Sequence, residues 1–176
     1  MADEGVGRVR EVYVASYRRL VGQLTGVTGD PLEAEDVVME AFARAVTRHR
    51  EFARVDNPEA WLRTVAVNVA RSRWRRLSRM RPAPLELGEG ERAQTGTAYD
   101  DLPADRVALL AALRTLPAAQ REAIALHHLA DLPVHEVAAT LGVPTGTVKA
   151  RLARGRARLA TLLGHPEEEE HHVRPT

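Results

Sequence analysis

Apolar residues recur at helical spacing through almost the whole chain, and prolines stand where the predicted helices begin. Pro31 follows Asp30 and Pro58 follows Asn57, so each proline comes directly after a residue type that caps helices. Proline suits the first helical position because its missing N–H would have no partner there. The chain has no long alternating run of β-branched residues and no hairpin dipeptide, so no strand is expected. These features predict an all-α fold.

The apolar pattern predicts three helices in the first half of the chain and four shorter helices in the second half. The first helix is expected over about residues 9–24, before a break at 26–30. Val46 and Leu162 are expected among the inward-facing side chains. The other helices are expected over about residues 31–46, 57–80, 104–115, 118–130, 134–141 and 145–163.

Charge is segregated along the chain, although the total of 25 basic and 24 acidic residues is nearly balanced. Residues 1–80 hold 14 basic and 11 acidic side chains, and residues 105–165 hold 8 and 4. Residues 81–104 hold only 2 basic and 5 acidic side chains, and residues 166–176 hold 1 and 4. Two basic blocks are therefore separated by an acidic segment and followed by an acidic end.

The acidic segments lack an apolar period, and the first is also rich in Pro and Gly. We therefore expect a flexible acidic linker over residues 81–104 and a disordered acidic tail over residues 164–176. The pattern predicts two small helical domains, residues 10–80 and 105–163, that move independently of each other. Direct packing of the two domains remains open as an alternative.

A helix-turn-helix motif is the strongest local signal, and it lies between Val134 and Leu163. Gly142 supplies the positive φ that the tight corner needs. The second helix carries basic residues and no acid, and in this motif its N-terminal residues meet base edges in the major groove. A basic solvated face on an ordinary helical hairpin is the alternative interpretation. The candidate DNA-binding residues are Thr145, Thr147, Lys149, Arg151, Arg154 and Arg158.

The helix after Asn57 carries six arginines and, beyond Glu59, no acid. Trp74 lies among these arginines, and arginine interleaved with an aromatic ring suits a single strand with unstacked bases. Trp61 is expected in the core, and Trp74 is left open between core and surface. The candidate residues for a single strand are Arg63, Asn68, Arg71, Arg73, Trp74, Arg75 and Arg76.

The helix that begins at Pro31 is acidic in its first turns. Acids would repel DNA, so Asp36 and Glu40 suggest a protein partner; interaction with the helix dipole accounts for part of the pattern. Asp36 and Glu40 lie one turn apart and therefore share a side of the helix.

No catalytic, cofactor or metal site is expected. The chain has no cysteine, which excludes disulfides and thiolate chemistry. His127, His128 and His135 do not match a ligand pattern such as HExxH, and there is no Gly-rich phosphate loop. No apolar run reaches the length of a membrane span, and the N-terminus lacks a signal-peptide core, so a cytoplasmic protein without membrane insertion is expected.

Three segments in this order resemble the extracytoplasmic-function (ECF) sigma factors, the smallest members of the sigma-70 family. The segments are AEDVVMEAFARAV, NPEAWLRTVAVNVARSRWRR and the stretch from LRTLPAAQREAIALHH to KARLARGRARL. The resemblance covers about residues 10–163 apart from the linker. The composition, in which Lys149 is the only lysine, looks actinobacterial.

The resemblance implies a promoter-specificity subunit of bacterial RNA polymerase that is not an enzyme. Residues 10–80 would be sigma region 2 and residues 105–163 sigma region 4, with the linker threading the polymerase cleft. The helix with Asp36, Glu40 and Phe42 would dock on the clamp helices of the polymerase β′ subunit.

The resemblance also assigns promoter contacts to other segments. Residues 50–56 would form a pocket for a flipped base of the minus-ten element, and the helix after Asn57 would follow the non-template strand. The recognition helix would read the minus-thirty-five element. The implied partners are the polymerase core, through its β′ clamp helices and β flap, and promoter DNA; an anti-sigma factor is left open.

Several positions depart from the family pattern. Met39 stands where glutamine is common, Pro133 and Val134 replace a Ser-Tyr-like pair, and His127 and His128 replace Arg-Tyr-like residues. None of these changes removes a basic or apolar position that the mechanism requires. Two other classes of protein remain as alternatives: a stand-alone helix-turn-helix transcription regulator and a protein-binding helical adaptor.

Overall fold

The computed structural model describes residues 2–80 and 103–164, and these residues are helical with short connections. A π-helical turn over Ala125–Leu129 joins two of the helices. The all-α expectation is confirmed for the described residues, whereas most of the predicted linker and tail lies outside them. The helices are α1 (Ala2–Thr28), α2 (Pro31–Thr47), α3 (His49–Phe52), α4 (Pro58–Met80), α5 (Ala104–Thr115), α6 (Ala118–Ile124), α7 (Val134–Leu141) and α8 (Thr145–Leu163).

The starts of α2 and α4 follow from the caps that the sequence predicts. The Asp30 side chain accepts a hydrogen bond from the Leu32 amide at 2.8 Å, and Asn57 Oδ1 accepts one from the Ala60 amide at 3.0 Å. Each cap satisfies a backbone donor that has no partner within its helix.

The end of α1 differs from the expected break at 26–30, because the helix continues through Gly26 to Thr28. The Thr28 hydroxyl donates to the Leu24 carbonyl at 3.0 Å, and Gly29 then adopts a φ of +77°. Glycine adopts this left-handed conformation at little cost, so the chain turns there and not three residues earlier.

Helices α1, α2 and α4 pack around one end of the hydrophobic core. Phe52 is fully buried there and meets Trp61 edge to face, with ring centroids 5.3 Å apart. Trp61 is partly buried against the core, as expected, whereas Val46 is exposed at the end of α2. Other buried side chains in this part are Leu20, Leu24, Val37, Val38, Leu62 and Val67.

Helices α7 and α8 form the predicted helix-turn-helix. Gly142 has a φ of +66°, as the corner requires, and Val137 and Val148 pack in the core between the two helices. Leu159 is the last residue of α8 that packs against the core cluster, so Leu162 is 52% exposed and is not the inward-facing residue expected.

The two predicted domains pack directly against each other, which is the alternative that the sequence leaves open. A Cβ atom on Gly26 of α1 would lie 2.3 Å from Leu129 Cδ1 in the π-helical turn. Arg121 Nε of α6 donates to the Val27 carbonyl of α1 at 2.9 Å. The buried residues of both parts belong to one hydrophobic cluster.

Candidate polymerase and promoter interfaces

The recognition helix α8 presents a basic face that follows from its packing. Val148 and Leu152 are buried against the core, so side chains on the opposite side of α8 turn outwards. Four of the six candidate DNA-binding residues are exposed: Thr145, Lys149, Arg154 and Arg158. Residues 145–163 contain no acid, so this face offers an uninterrupted positive charge to phosphates.

Thr147 and Arg151 of α8 are only partly exposed. The Nη1 atom of Arg151 is buried and has no hydrogen-bond partner among the described residues. Arg151 therefore presents less of its side chain to solvent than Lys149 and Arg154 do.

The C-terminal half of α4 carries the exposed part of the candidate strand surface. Trp74 is 50% exposed, which decides the question that the sequence leaves open between core and surface. Asn68, Arg75 and Arg76 are also exposed. An exposed indole ring between guanidinium groups can stack on a base while the arginines contact phosphates.

Arg63 departs from the expected strand surface because it is only 7% exposed. Its Nε atom donates to Gln23 Oε1 at 2.9 Å, and its Nη2 atom donates to Glu59 Oε1 at 3.3 Å. Burial lowers the pKa of the Arg63 guanidinium, and the charge of Glu59 opposes this shift. In this conformation Arg63 joins α4 to α1 and does not face a strand.

Arg71 and Arg73 are half-buried, and acidic side chains hold both. Arg73 Nη2 donates to Glu40 Oε2 of α2 at 2.9 Å. Arg71 Nε donates to both carboxylate oxygens of Glu122 in α6, at 3.1 and 3.2 Å. Two of the arginines expected to contact a strand therefore also bridge helices within the chain.

On the acidic surface of α2, Asp36 is exposed, whereas Glu40 is only partly exposed and is paired with Arg44 and Arg73. The side chain of Asp36 is 74% exposed and that of Glu40 is 35% exposed. The hydrogen bond from Arg73 is the main cause that holds the pKa of Glu40 below its ordinary value. Phe42 lies in the core, only 4% exposed, and therefore supports this surface from beneath.

Aromatic residues of α1 lie beside this acidic surface, which the sequence reasoning does not predict. Tyr13 stacks on Tyr17 with ring centroids 4.7 Å apart and meets Phe42 edge to face at 5.1 Å. Tyr13 and Met39 are both exposed. The four-residue spacing of Tyr13 and Tyr17 on one helix face is the signal that could have found this cluster.

Residues 50–56, expected to form a base pocket, begin with the end of α3 and continue as turns. Phe52 fills the core beneath this segment, while Arg50, Arg54 and Asp56 are exposed. The described residues do not bring three or more metal-ligating side chains together.

The histidines of the π-helical turn have partners in the protein. His127 Nδ1 lies 2.7 Å from the Leu132 carbonyl oxygen, and Arg156 Nε donates to His128 Nε2 at 3.3 Å. Burial is the main cause that lowers the pKa of His128, so its neutral form is favoured as the acceptor.

Comparisons with known proteins match both halves of this arrangement. "Sigma-70 region 2" matches residues 12–80, and "Sigma-70, region 4" matches residues 106–159. The RNA polymerase sigma-E factor of Streptomyces antibioticus is 32% identical, over 90% of this chain and 86% of the relative. The ECF RNA polymerase sigma factor SigC of Mycobacterium tuberculosis is 30% identical, over 90% of this chain and 85% of the relative.

Two solved structures have the same fold. The sigma factor RpoE, in complex with the anti-sigma factor NepR from Bartonella quintana, has a TM-score of 0.67 and 24% identity, over 88% of this chain and 96% of RpoE. CnrH, in complex with the cytosolic domain of CnrY, has a TM-score of 0.61 and 21% identity, over 93% of this chain and 94% of CnrH.

The region 2 and region 4 matches, together with relatives that are 30–32% identical over 90% of this chain, define a sigma factor of bacterial RNA polymerase. The chain belongs to the ECF group of the sigma-70 family, whose members direct promoter-specific initiation of transcription. This is a family of initiation factors and not of catalysts. Within the described residues, no helix combines the length and apolar character that crossing a membrane requires.

Proposed function

We propose that residues 10–80 act as sigma region 2 and residues 105–163 as sigma region 4, joined by a linker over residues 81–104 and followed by an acidic tail over residues 164–176. The family matches at 12–80 and 106–159 support these limits. Region 2 binds the polymerase core and the minus-ten element, and region 4 binds the minus-thirty-five element.

The acidic surface of α2 docks on the clamp helices of the polymerase β′ subunit. Asp36 and Glu40 supply its charge, and both side chains reach solvent. Exposed Tyr13 and Met39 add apolar area beside the acids, while buried Phe42 fixes the position of α2 against α1. A partly apolar, partly acidic surface suits a basic protein partner better than DNA.

The exposed end of α4 binds the non-template strand of the minus-ten element. Trp74 stacks on an unpaired base, and Asn68, Arg75 and Arg76 bind the backbone. Arg71 and Arg73 join this surface when their acidic partners release them. Arg63 stays inside as a positioning residue, and the segment 50–56 receives the flipped base, which helps melting.

The recognition helix α8 binds the major groove of the minus-thirty-five element. The observation that carries the proposal is the packed helix-turn-helix whose second helix exposes Lys149, Arg154 and Arg158 and contains no acid. Phosphate contacts from this face position the complex, and a smaller number of base contacts select the sequence.

The polymerase β flap is a further partner of region 4. We also propose an anti-sigma factor as a partner, because RpoE of the same fold was solved in complex with the anti-sigma factor NepR. The site of action is the cytoplasm, where the polymerase and the promoter are found.

Run-off transcription with purified core polymerase on genomic promoter fragments tests the proposal. We expect discrete transcripts whose start sites share upstream elements, and no transcripts with core enzyme alone. A gel-shift assay with and without core separates this function from a stand-alone regulator. Tight duplex binding without core, together with an absence of transcripts, would contradict the proposal.

A further inference from the structure

The guanidinium group of Arg71 uses all three of its nitrogen atoms inside the protein. Nε donates to both oxygens of Glu122, Nη2 lies 3.1 Å from Glu122 Oε2, and Nη1 donates to the Leu141 carbonyl at 2.9 Å. Leu141 ends α7, so its carbonyl is one of those that lack a partner within the helix. Arg71 thus joins the strand-binding helix α4 to both α6 and α7 of region 4.

The Glu122 carboxylate needs this arginine. Its side chain is only 9% exposed, and a buried carboxylate is expensive unless a cation or donors satisfy it. The bidentate pair with Arg71 provides both charge and hydrogen bonds. Separation of regions 2 and 4 would instead return Glu122 to water and free the guanidinium of Arg71.

Regions 2 and 4 also pack closely at a second place, between α1 and the π-helical turn. On Gly26, a Cβ atom would meet Leu129 Cδ1 and would lie 3.0 Å from Ala125 Cβ. The end of the Leu129 side chain can turn aside from a methyl group, but Ala125 cannot, so a large side chain at position 26 is expected to push the π-helical turn away from α1.

We propose that the guanidinium group of Arg71 acts as a latch, which means that it holds region 4 against region 2 through Glu122 and Leu141. Because the same group would bind a single strand, packing of region 4 onto region 2 competes with strand binding. This inference rests on the proposed function of α4 as the strand surface. A phosphate needs the donors that Glu122 and Leu141 occupy, and Glu122 beside them repels a phosphate. Strand binding therefore requires the packed state to open, and the apparent affinity falls by the fraction of molecules that are closed.

Two substitutions open the latch by different routes in the full-length chain. Glu122→Gln removes the charge but keeps the shape, and Gly26→Leu separates the surfaces without a change in Arg71. Each is expected to raise the affinity for a fluorescein-labelled oligothymidylate about fivefold or more, measured by anisotropy. Arg71→Gln should also open the structure but should bind the oligonucleotide more weakly than Glu122→Gln.

Opening is measured independently of strand binding. The chain has no cysteine, so Ala15→Cys and Ala111→Cys, both exposed, allow a pair of spin labels on regions 2 and 4. We expect a longer label distance in Glu122→Gln and Gly26→Leu than in the parent chain. The charge exchange Arg71→Glu with Glu122→Arg should restore the shorter distance without restoring strand affinity.

The two measurements separate the latch from the proposed function. An unchanged label distance in Glu122→Gln would overturn the latch, and so would a longer distance without a gain in oligonucleotide affinity. If Arg75→Ala and Arg76→Ala bind the oligonucleotide as well as the parent chain does, the assignment of α4 to the strand is wrong. The label distances would in that case still decide whether Arg71 and Glu122 hold the packed state.

Discussion

Arg73 of helix α4 donates a hydrogen bond to Glu40 of the acidic helix α2, with Nη2 2.9 Å from Oε2. Asp36 lies on the same side, with its Oδ2 atom 3.9 Å from Arg73 Nη1. The surface assigned to the polymerase and the surface assigned to the promoter strand therefore share an ion pair. A basic group of the polymerase that binds Glu40 would compete directly with Arg73.

Replacement of Asp36 and Glu40 by lysine should abolish capture of core polymerase in a pull-down and leave the helical circular dichroism spectrum unchanged. The variant also loses the ion pairs of Glu40 with Arg44 and Arg73 and places lysines beside these arginines, so we expect a loss of about 1–2 kcal/mol in the free energy of unfolding, which the spectrum and a melting curve check. Asp105→Lys with Glu136→Lys, at two exposed acids of α5 and α7, matches the change of four in net charge and serves as the control. A folded double variant that still binds core would move the interface elsewhere.

Charge reversal at Lys149 or Arg154 should weaken binding of the holoenzyme to promoters that depend on the minus-thirty-five element. A lost base contact costs about 1–3 kcal/mol and changes preference at one position, whereas a lost phosphate contact lowers the salt slope by about 1 at every site. Arg18→Glu, which alters an exposed arginine of α1, is the matched control. Normal promoter activity in both reversals would remove α8 from the DNA interface.

Substitutions at Arg63 and Arg75 should have different effects: the first should lower the free energy of unfolding, and the second should weaken strand binding. Arg63→Met leaves the buried Gln23 oxygen without its donor, so we expect a loss of about 1–3 kcal/mol in the free energy of unfolding. Arg75→Ala at the surface should change that free energy by less than about 0.5 kcal/mol, yet weaken oligonucleotide binding. Urea denaturation measures the first effect. A stable Arg63→Met variant with impaired strand binding would place Arg63 on the strand surface instead.

Protonation of His128 should lower the free energy of unfolding in mildly acidic solution. Its pKa is lowered in the folded state, mainly by burial, so the unfolded chain binds more protons below about pH 6.5. The stabilisation is thus present above the unfolded value and is lost as the pH falls towards the folded one. The decrease in melting temperature between about pH 7.5 and 5.5 should be smaller in His128→Gln than in the parent chain. Equal decreases in the His128→Gln variant and in the parent chain would contradict the prediction.

Asp131, directly after the π-helical turn, has a φ of +54°, which is unusual for a residue other than glycine. Asp131→Gly should leave the free energy of unfolding unchanged or raise it by up to about 1 kcal/mol, while Asp131→Val should lower it by about 1–2 kcal/mol. Urea denaturation of the two variants checks this. A valine variant as stable as the parent would show that the turn readjusts.

The starts of α2 and α4 and the corner of the helix-turn-helix could be predicted because their causes are local, whereas both ends of α1 and the short helix α3 were missed. Asp30 and Asn57 cap the helices that follow them, and Gly142 turns the corner of the helix-turn-helix with residues only a few positions apart. The exposed basic face of α8 follows in the same way from the helical spacing of its apolar residues.

The partners of the arginines could not be predicted, because they depend on contacts between distant parts of the chain. Arg63 and Gln23 are 40 residues apart, and Arg71 and Glu122 are 51 residues apart. In the sequence, Arg63, Arg71 and Arg75 look alike on one helix. Only the packing of the helices buries Arg63 and brings Arg71 against Glu122. The packed arrangement of the two regions was open for the same reason.

The π-helical turn over residues 125–129 holds one residue more than an α-helical turn of the same height, so this place can lose a residue. Its hydrogen bond from the Ala130 amide to the Ala125 carbonyl, at 3.0 Å, spans one residue more than an α-helical bond does. Deletion of His128 would let α-helical bonds replace the wider turn, with the entry into α7 and α8 nearly preserved. Single-residue deletions should therefore be tolerated here, whereas inside α8 they would rotate the basic face away from the groove.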